Sequence, residues 1–441
     1  MAQGIRLITR AAGERLAIRG GVIVSVEEFL SQVQGLAATL PGSGAIANLC
    51  EDRYRFLVGF AAALSRGLTT LMPPNPLAAT VNRICAEWPG SLVLTDQPAA
   101  SFDVPVLRFE EAPRGAPENP LVDGTLLAAV SFTSGSTGAP LPQRKSWATL
   151  VAGTRINLGY FFGRAPGPFG VVATVPAQHM YGFETTALAA LQGPVVMHDG
   201  RPFYPASVAA ALAAAPAPRV LVSTPVHLRA LLASGLRFAP VARVLSATAP
   251  LEAALAADLE HCFGAELVEI YGCTEVGSMA ARRTASGDAW RFFEGLACAE
   301  RDGVAWISAA HLEGEVRLLD ALRFEPDGSF VLAGRDSDLV KIGGKRASIA
   351  EVTAALLAAP GVEDGVAFQL PAGGGEARLA ALIVGGAADA ARVRGALAAV
   401  LDPVFIPRRI VHVPALPRSA TGKLTREAVL KLYSEASAAG A

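Results

Sequence analysis

A chain of 441 residues with 38 Lys and Arg against 39 Asp and Glu carries a net charge of -1, which provides neither a basic surface for nucleic acid nor a patch for acidic membranes. Five cysteines and six histidines are scattered, with no C-x-x-C pair, so neither a disulfide framework nor a structural zinc site is indicated. Mean hydropathy is +0.38, largely from alanine, yet no apolar run reaches the roughly 18 to 20 residues that span a bilayer. The N-terminal MAQGIRLITRAAGERLAIRG has no apolar signal core. These features predict a cytoplasmic protein of two to three domains, with no membrane span and no nucleic-acid partner.

In chain order, residues 56–65 (FLVGFAAALS) read as a helix and 69–72 as an apolar strand; 207–214 and 219–223 repeat the pair. Such alternation predicts βα units and largely parallel sheets. Residues 110–124 (EEAPRGAPENPLVDG) read as a surface linker. Residues 126–132 (LLAAVSF) form a predicted buried strand.

That strand runs into SFTSGSTGAPLPQRK, residues 131–145. The G-x-x-x-x-G-K-[ST] rule is not met, because Gly138 is followed by Ala139, Pro140 and Leu141. Gly135 and Gly138 nonetheless allow main-chain N–H groups to turn inward. Thr133, Ser134, Ser136 and Thr137 add hydroxyl donors, and Lys145 offers a mobile positive charge. A structural Ser/Gly turn has the same spelling, so later segments must decide.

Residues 176–184 (PAQHMYGFE) place His179, Met180 and Tyr181 together as a candidate pocket wall. His227, in STPVHLRALL, reads as a helix-start packing residue. Residues 270–278 (IYGCTEVGS) read as an apolar strand, a glycine turn, then Thr274 and Glu275. The hydroxyl suits a phosphate oxygen, and the carboxylate suits Mg²⁺, which usually takes one or two carboxylates plus phosphates. The plainer reading of Glu275 is a carboxylate at a helix start. Cys273 lacks a base partner and reads as a small filler. From residue 313 to 334 the segments shorten, and Asp327-Gly328 marks a hairpin turn. Asp320 stands eight positions before Gly328, with Arg335 beyond. After a boundary near 335–338 comes a compact tail. It reads as helix 349–357, two strands (the second 379–384), helix 389–401, strand 409–413, the loop PRSATGK with Lys423, and a last helix that Thr425 can cap.

This ordered set resembles the adenylate-forming superfamily of acyl- and aryl-CoA synthetases, luciferases and peptide-synthetase adenylation domains. SFTSGSTGAP resembles its phosphate loop, PAQHMYGFE its aromatic-pocket motif, and SATAPL (246–251) its adenine-side strand. YGCTE resembles the magnesium-glutamate motif, GRDSDLVKIGGKRAS the hinge and swing loop, and PRSATGK the catalytic-lysine loop. Each motif is weak alone; six in the family's order, over residues 30–430, are specific.

The resemblance implies an α/β fold. A large N-terminal domain, residues 1–335, would stack βα subdomains with a small barrel-like sheet and bind ATP and the acid. A small mobile α+β C-terminal domain, residues 336–441, would carry Lys423 and pivot near Ser337 between half-reactions. The phosphate loop would include Thr133, Ser134, Ser136, Thr137 and Gly138, with Thr274 on the α-phosphate and Glu275 on Mg²⁺. Ala249, Pro250, Tyr271 and Gly272 would line the nucleotide site, with Asp320 and Arg335 on the ribose. His179, Met180, Tyr181, Thr224, Ser246, Ala247 and Thr248 would line the acid pocket, an apolar wall with a few polar groups that suits an aromatic or medium-chain acid.

Three departures stand out. The loop lysine usual after x-Pro is Leu141 here, with Lys145 four residues on. The hinge position, commonly Asp or Lys, is Ser337. The N-terminal domain is short. This brevity, with NLCEDRYRFLVGFAAAL, SFTSGSTGAPLPQRK, QHMYGFE and KIGGKRAS, is similar to compact ligases of aryl-polyene and xanthomonadin-type pathways. That implies an ATP- and Mg²⁺-dependent ligase for an aromatic acid such as a hydroxybenzoate, with an acyl carrier protein's phosphopantetheine, or CoA, as acceptor. Two alternatives are a medium- or long-chain fatty acyl ligase and a non-catalytic nucleotide-binding relative. The latter would be marked by loss of Lys423 or Glu275, and both are present.

Overall fold

The computed structural model describes residues 4–98, 101–110, 113–134, 140–163, 167–335, 339–342, 345–370, 378–386, 389–419 and 424–439. The chain divides into two compact units: residues 1–297 with 308–316, and residues 298–307 with 317–441.

Two sheets organise the first unit. One has nine strands in the order Arg291–Phe292, Gly277–Arg282, Glu266–Cys273, Arg243–Ser246, Arg219–Ser223, Phe169–Ala173, Val195–His198, Arg15–Arg19, Val22–Ser25. Its six strands from Glu266–Cys273 to Arg15–Arg19 are parallel. The other has six strands in the order Pro140–Ser146, Leu127–Ser134, Thr69–Met72, Ala45–Asn48, Leu92–Thr95, Val106–Arg108. It is parallel except for the antiparallel pair at the Pro140 edge. Pro140 and Pro142 lack an N–H and fit that edge strand.

The central strands are apolar and buried end to end, as in Ala45–Asn48 and Phe169–Ala173, because helices cover both faces of a parallel sheet. Their period of two sorts side chains between cores: Val171 and Ala173 join one, Val172 another. The largest core lies between the sheets. There Phe60 of the Arg53–Ser65 helix meets Phe183 edge to face at 5.0 Å and Trp147 at 6.3 Å. The Asp52 carboxylate caps that helix by accepting from the Arg55 N–H at 2.8 Å. Ser146 caps the Trp147–Phe162 helix by accepting from the Thr149 N–H at 3.2 Å. Each such cap is worth about 1 kcal/mol. Helices Pro205–Ala214, Pro225–Ala233 and Ala253–Phe263 cover the far face of the nine-stranded sheet.

The strand order also positions the site. Phe169–Ala173 lies between Val195–His198 and Arg219–Ser223, so the chain first goes to one side of it and later returns on the other. The crevice outside the carboxyl end of such a switch strand is the usual ligand position in an open α/β sheet.

In the second unit, Asp320–Phe324 and Phe330–Arg335 form the expected hairpin around Asp327-Gly328, with Gly328 at φ 79°. Leu296–Arg301, Val304–Ala309 and Val316–Arg317 form a three-stranded sheet whose residues are divided between the two units. These two small sheets stand where a barrel-like sheet was expected. The tail follows its predicted order: helix Ile349–Leu357, strands Asp364–Gln369 and Leu379–Val384, helix Ala390–Ala398, strand Arg409–His412, helix Arg426–Ala439. Thr425 does cap the last helix, its Oγ1 accepting from the Ala428 N–H at 3.3 Å.

Candidate active site

Four adjacent parallel strands end on one edge of the nine-stranded sheet: Phe169–Ala173, Arg219–Ser223, Arg243–Ser246 and Glu266–Cys273. That edge carries Thr174, Ser223, Thr224 and Ser246, all buried. Thr174 and Ser223 share a hydroxyl–hydroxyl bond of 2.9 Å, and Thr224 Oγ1 meets His227 Nδ1 at 3.0 Å. His227 stands in the first turn of Pro225–Ala233, as expected, and stacks edge-on against Phe203 at 5.1 Å. Burial, and then Arg201, push its imidazole pKa down. Ser246 Oγ is buried with no hydrogen-bond partner among the described residues, an arrangement that costs about 1–3 kcal/mol. Two residues on, Thr248 holds φ at +80°, a left-handed backbone costly for a β-branched residue and concentrated at ligand sites. Ala247 is buried, Ala249 half-buried and Pro250 exposed. This segment is tied down where the Leu251 N–H donates to Glu269 Oε1 at 3.1 Å.

The switch strand leads into the histidine–aromatic motif. His179 is half-buried at the start of a continuous helix, Met180–Gly182, Phe183–Leu188 and Ala189–Gln192, whose middle is π-helical. Met180 and Tyr181 are buried. Burial pushes the Tyr181 phenol up, so it stays protonated. Ser131 Oγ donates to Met180 Sδ at 3.2 Å, tying the strand that enters the phosphate-loop motif to the pocket motif of the other sheet.

Thr274 and Glu275 lie in the turn of a β-hairpin, between Glu266–Cys273 and Gly277–Arg282. Two local expectations change here. Gly272 is not the turn but a strand position at a bulge, where a Cβ would sit 2.5 Å from the Gly277 carbonyl oxygen. The glycine that closes the turn is Gly277, the first residue of the second strand, with φ +95°. Glu275 is at a hairpin tip rather than a helix start, half-buried. Tyr271 packs on Trp290 at 5.7 Å. Burial, and then Glu275, push the Cys273 thiol up to about 12, which leaves it protonated and inert.

Behind this turn lies a buried polar cluster that sequence reasoning did not find. Lys145, 4% exposed on the Pro140–Ser146 strand, donates from Nζ to the Glu275 carbonyl oxygen. Burial lowers its pKa, opposed chiefly by the charge of Glu184. Glu184 projects from the π-helical stretch and accepts from the Ser278 N–H at 3.1 Å and its hydroxyl at 2.5 Å. Burial raises its pKa against those bonds, Lys145 and Asn157. His311 is buried nearby, its pKa lowered by burial and by Lys145. One signal was available: Glu184 is the single charged residue in the apolar run MYGFETTALAALQ.

Thr133 and Ser134 end the Leu127–Ser134 strand, and Ser134 pairs with Pro140 across the loop. Ser136, Thr137, Gly138, Ser337 and Lys423 lie outside the described residues. Asp320 and Arg335 are Cα partners at the base of their hairpin. Among the described residues no three His, Cys, Asp or Glu side chains group as a metal site. A lone half-buried Glu275 beside Thr274 suits a cation that draws its other ligands from phosphate and water, as Mg²⁺ does. No helix of the described residues is long and apolar enough to cross a membrane.

Residues 9–294 match the family described as AMP-binding enzyme. The chain belongs to this family. This AMP-binding enzyme is 34% identical over 301 residues to the 4-coumarate–CoA ligase of Rhodobacter capsulatus, covering 67% of its own length and 74% of the relative's. In fold it is similar to ATP-bound MatB from Rhodopseudomonas palustris, with TM-score 0.83, 19% identity and 96% of each chain covered. It is also similar to o-succinylbenzoate CoA synthetase from Bacillus subtilis in complex with its acyl-adenylate, with TM-score 0.79, 17% identity and 94% and 95% coverage. With this family it is an AMP-forming acid–thiol ligase, and the non-catalytic reading falls away.

Proposed function

We propose that the protein activates an aromatic carboxylic acid, of the hydroxybenzoate or hydroxycinnamate type, and passes its acyl group to a pantetheine thiol. The carrying observation is the edge that joins buried Met180 and Tyr181 to the hydroxyls of Thr174, Ser223, Thr224 and Ser246, beside the Thr274–Glu275 turn. An apolar wall with a few fixed polar groups suits an aryl ring. The relative named 4-coumarate–CoA ligase supports the same class.

In the first half-reaction a carboxylate oxygen bonds to the α-phosphorus, the α–β phosphoanhydride breaks, and pyrophosphate leaves with the electron pair. Two anions must meet, so preorganised donors and cations set the barrier. Thr133, Ser134, Ser136, Thr137 and Gly138 would hold the β- and γ-phosphates, Thr274 the α-phosphate, and Asp320 with Arg335 the ribose. Ala249, Pro250, Tyr271 and Gly272 would face the nucleotide. Mg²⁺, held by Glu275, would neutralise phosphate charge. Lys423 would bridge the acid carboxylate and the α-phosphate, a task that suits a point charge on a flexible stem. Residues 336–441 would act as the mobile domain, pivoting near Ser337. In the second half-reaction the thiol sulfur bonds to the acyl carbon, AMP departs, and the thiol proton passes to solvent.

The test is acid-dependent ATP–pyrophosphate exchange across hydroxybenzoates, cinnamates, benzoate and graded fatty acids. A peak on one aryl acid supports the reading, and a fatty-acid peak overturns it. Thioester formation on CoA against a phosphopantetheinylated carrier protein then identifies the acceptor; we expect the carrier.

A further inference from the structure

The sequence offers Lys145 as a mobile charge but, four residues past the usual lysine position, leaves its contact with phosphate open. Its place on the strand argues against that contact. It pairs with Ala129, whereas the loop is closed by Ser134 and Pro140, five positions along the hairpin. At the usual rise per residue that separation is roughly 17 Å, beyond the reach of a lysine stem. Leu141, Pro142 and Arg144 on the same strand are exposed while Lys145 is buried. Lysine is almost never fully buried unless paired.

What holds it is the hairpin turn. The Lys145 ammonium donates to the carbonyl of Glu275, the middle residue of the turn. Two positions past the turn, on the strand that leaves it, Ser278 gives both its N–H and its hydroxyl to Glu184. Gly277 lies so close that a Cβ there would sit 2.4 Å from Glu184 Oε1. Lys145 and Glu184 line one small cavity with Leu150, Met180, Leu188 and Val276. In such apolar surroundings an opposite charge nearby eases the burial of each, so removing one leaves the other less compensated.

We infer that Lys145 is a positioning residue for adenylation: it holds the tip of the 274–276 turn while Glu184 holds the strand that leaves it, and together they set where Thr274 and Glu275 stand. The inference rests on the proposed function, which gives those two residues the α-phosphate and the cation. On this reading Lys145 acts through the turn, not on the acid or the nucleotide.

The experiment compares wild type with Lys145→Met and with the double variant Lys145→Met/Glu184→Gln. It reads pyrophosphate exchange, thermal stability, and Mg²⁺·ATP affinity by calorimetry. We expect Lys145→Met to lower the exchange kcat at least about tenfold, within the range set by small misplacements, and to weaken Mg²⁺·ATP. The acid KM should stay within about twofold. The double variant should regain stability, because no charge is left stranded, but not the exchange rate. An unchanged rate and affinity in folded Lys145→Met would reduce the residue to architecture and overturn the inference. A raised acid KM at unchanged kcat would make it a substrate contact and overturn it too. If wild type shows no exchange with any acid, the proposed function fails, and calorimetry still decides whether Lys145 governs nucleotide binding.

Discussion

The ammonium of Lys145 donates to the main-chain carbonyl of Glu275, 130 positions further along the chain. A lysine bonded to the peptide holds the main chain of Glu275 and leaves the carboxylate oxygens to other partners. The strand behind the phosphate-loop motif thereby supports the turn bearing the candidate cation ligand. Two motifs that look independent in the sequence are mechanically one.

Lys423→Ala should lower the adenylation rate at least about 100-fold, the scale of losing one preorganised transition-state donor. A preformed acyl-adenylate should still be thiolated at near wild-type rate. Pyrophosphate exchange measures the first step and single-turnover thioester formation the second. Equal loss of both would remove the division of labour.

Glu275→Gln keeps shape and removes charge. At saturating acid and ATP, the Mg²⁺ concentration for half-maximal exchange should rise about tenfold or more, because a hard cation loses its one protein carboxylate. Titrating Mg²⁺ in the exchange assay measures this. An unshifted curve would mean that Glu275 does not hold the cation.

Burial raises the pKa of Glu184 in the folded protein. Between the ordinary glutamate value, about 4.3, and its raised native value, the native state holds a proton that the unfolded state has lost. Stability therefore falls as pH rises through that window. Glu184→Gln abolishes this titration, so the melting temperature of the variant minus that of wild type should increase with pH across it. Melting curves from pH 4 upward, in steps of about half a unit, test the sign; a flat difference would show that Glu184 titrates normally.

Glu269, 3% exposed, accepts from Arg282 Nε at 2.8 Å, Thr284 Oγ1 at 2.7 Å and the Leu251 N–H at 3.1 Å. Glu269→Ala removes these three bonds and leaves the Arg282 guanidinium only the exposed Asp288 and the Trp290 ring, which should cost about 2–3 kcal/mol in urea unfolding. Because Leu251 anchors the segment from Ser246 to Pro250, the KM for ATP should rise as well. Loss of stability at unchanged KM would separate that segment from the nucleotide.

Much of the fold was legible because local pattern and tertiary role agreed. Thr69–Met72, Arg219–Ser223, Ile349–Leu357 and Leu379–Val384 have the bounds their apolar runs suggested, and Asp327-Gly328 makes its turn. The motif order led to the family. The support of the site was not legible. The fate of Lys145 depends on strand register and on a hairpin 130 residues away, neither of which leaves a local trace. Gly272 read as a turn because glycine permits one, whereas its lack of a Cβ serves the close approach of Gly277. Glu184 sat within a motif read for its aromatic and histidine members, and only packing shows that it faces Ser278.

The hairpin that frames the phosphate-loop motif constrains which insertions and deletions the chain can accept. Extra residues between Ser134 and Pro140 would enlarge the loop and leave the rungs below it aligned. One extra residue between Pro140 and Lys145 would instead reverse every side chain beyond it, turning the lysine outward and Arg144 inward. Drift in length is thus tolerable at the tip and forbidden a few residues later. In a lineage descended from this chain, the spacing between the loop and the lysine should therefore outlast the spelling of the loop itself.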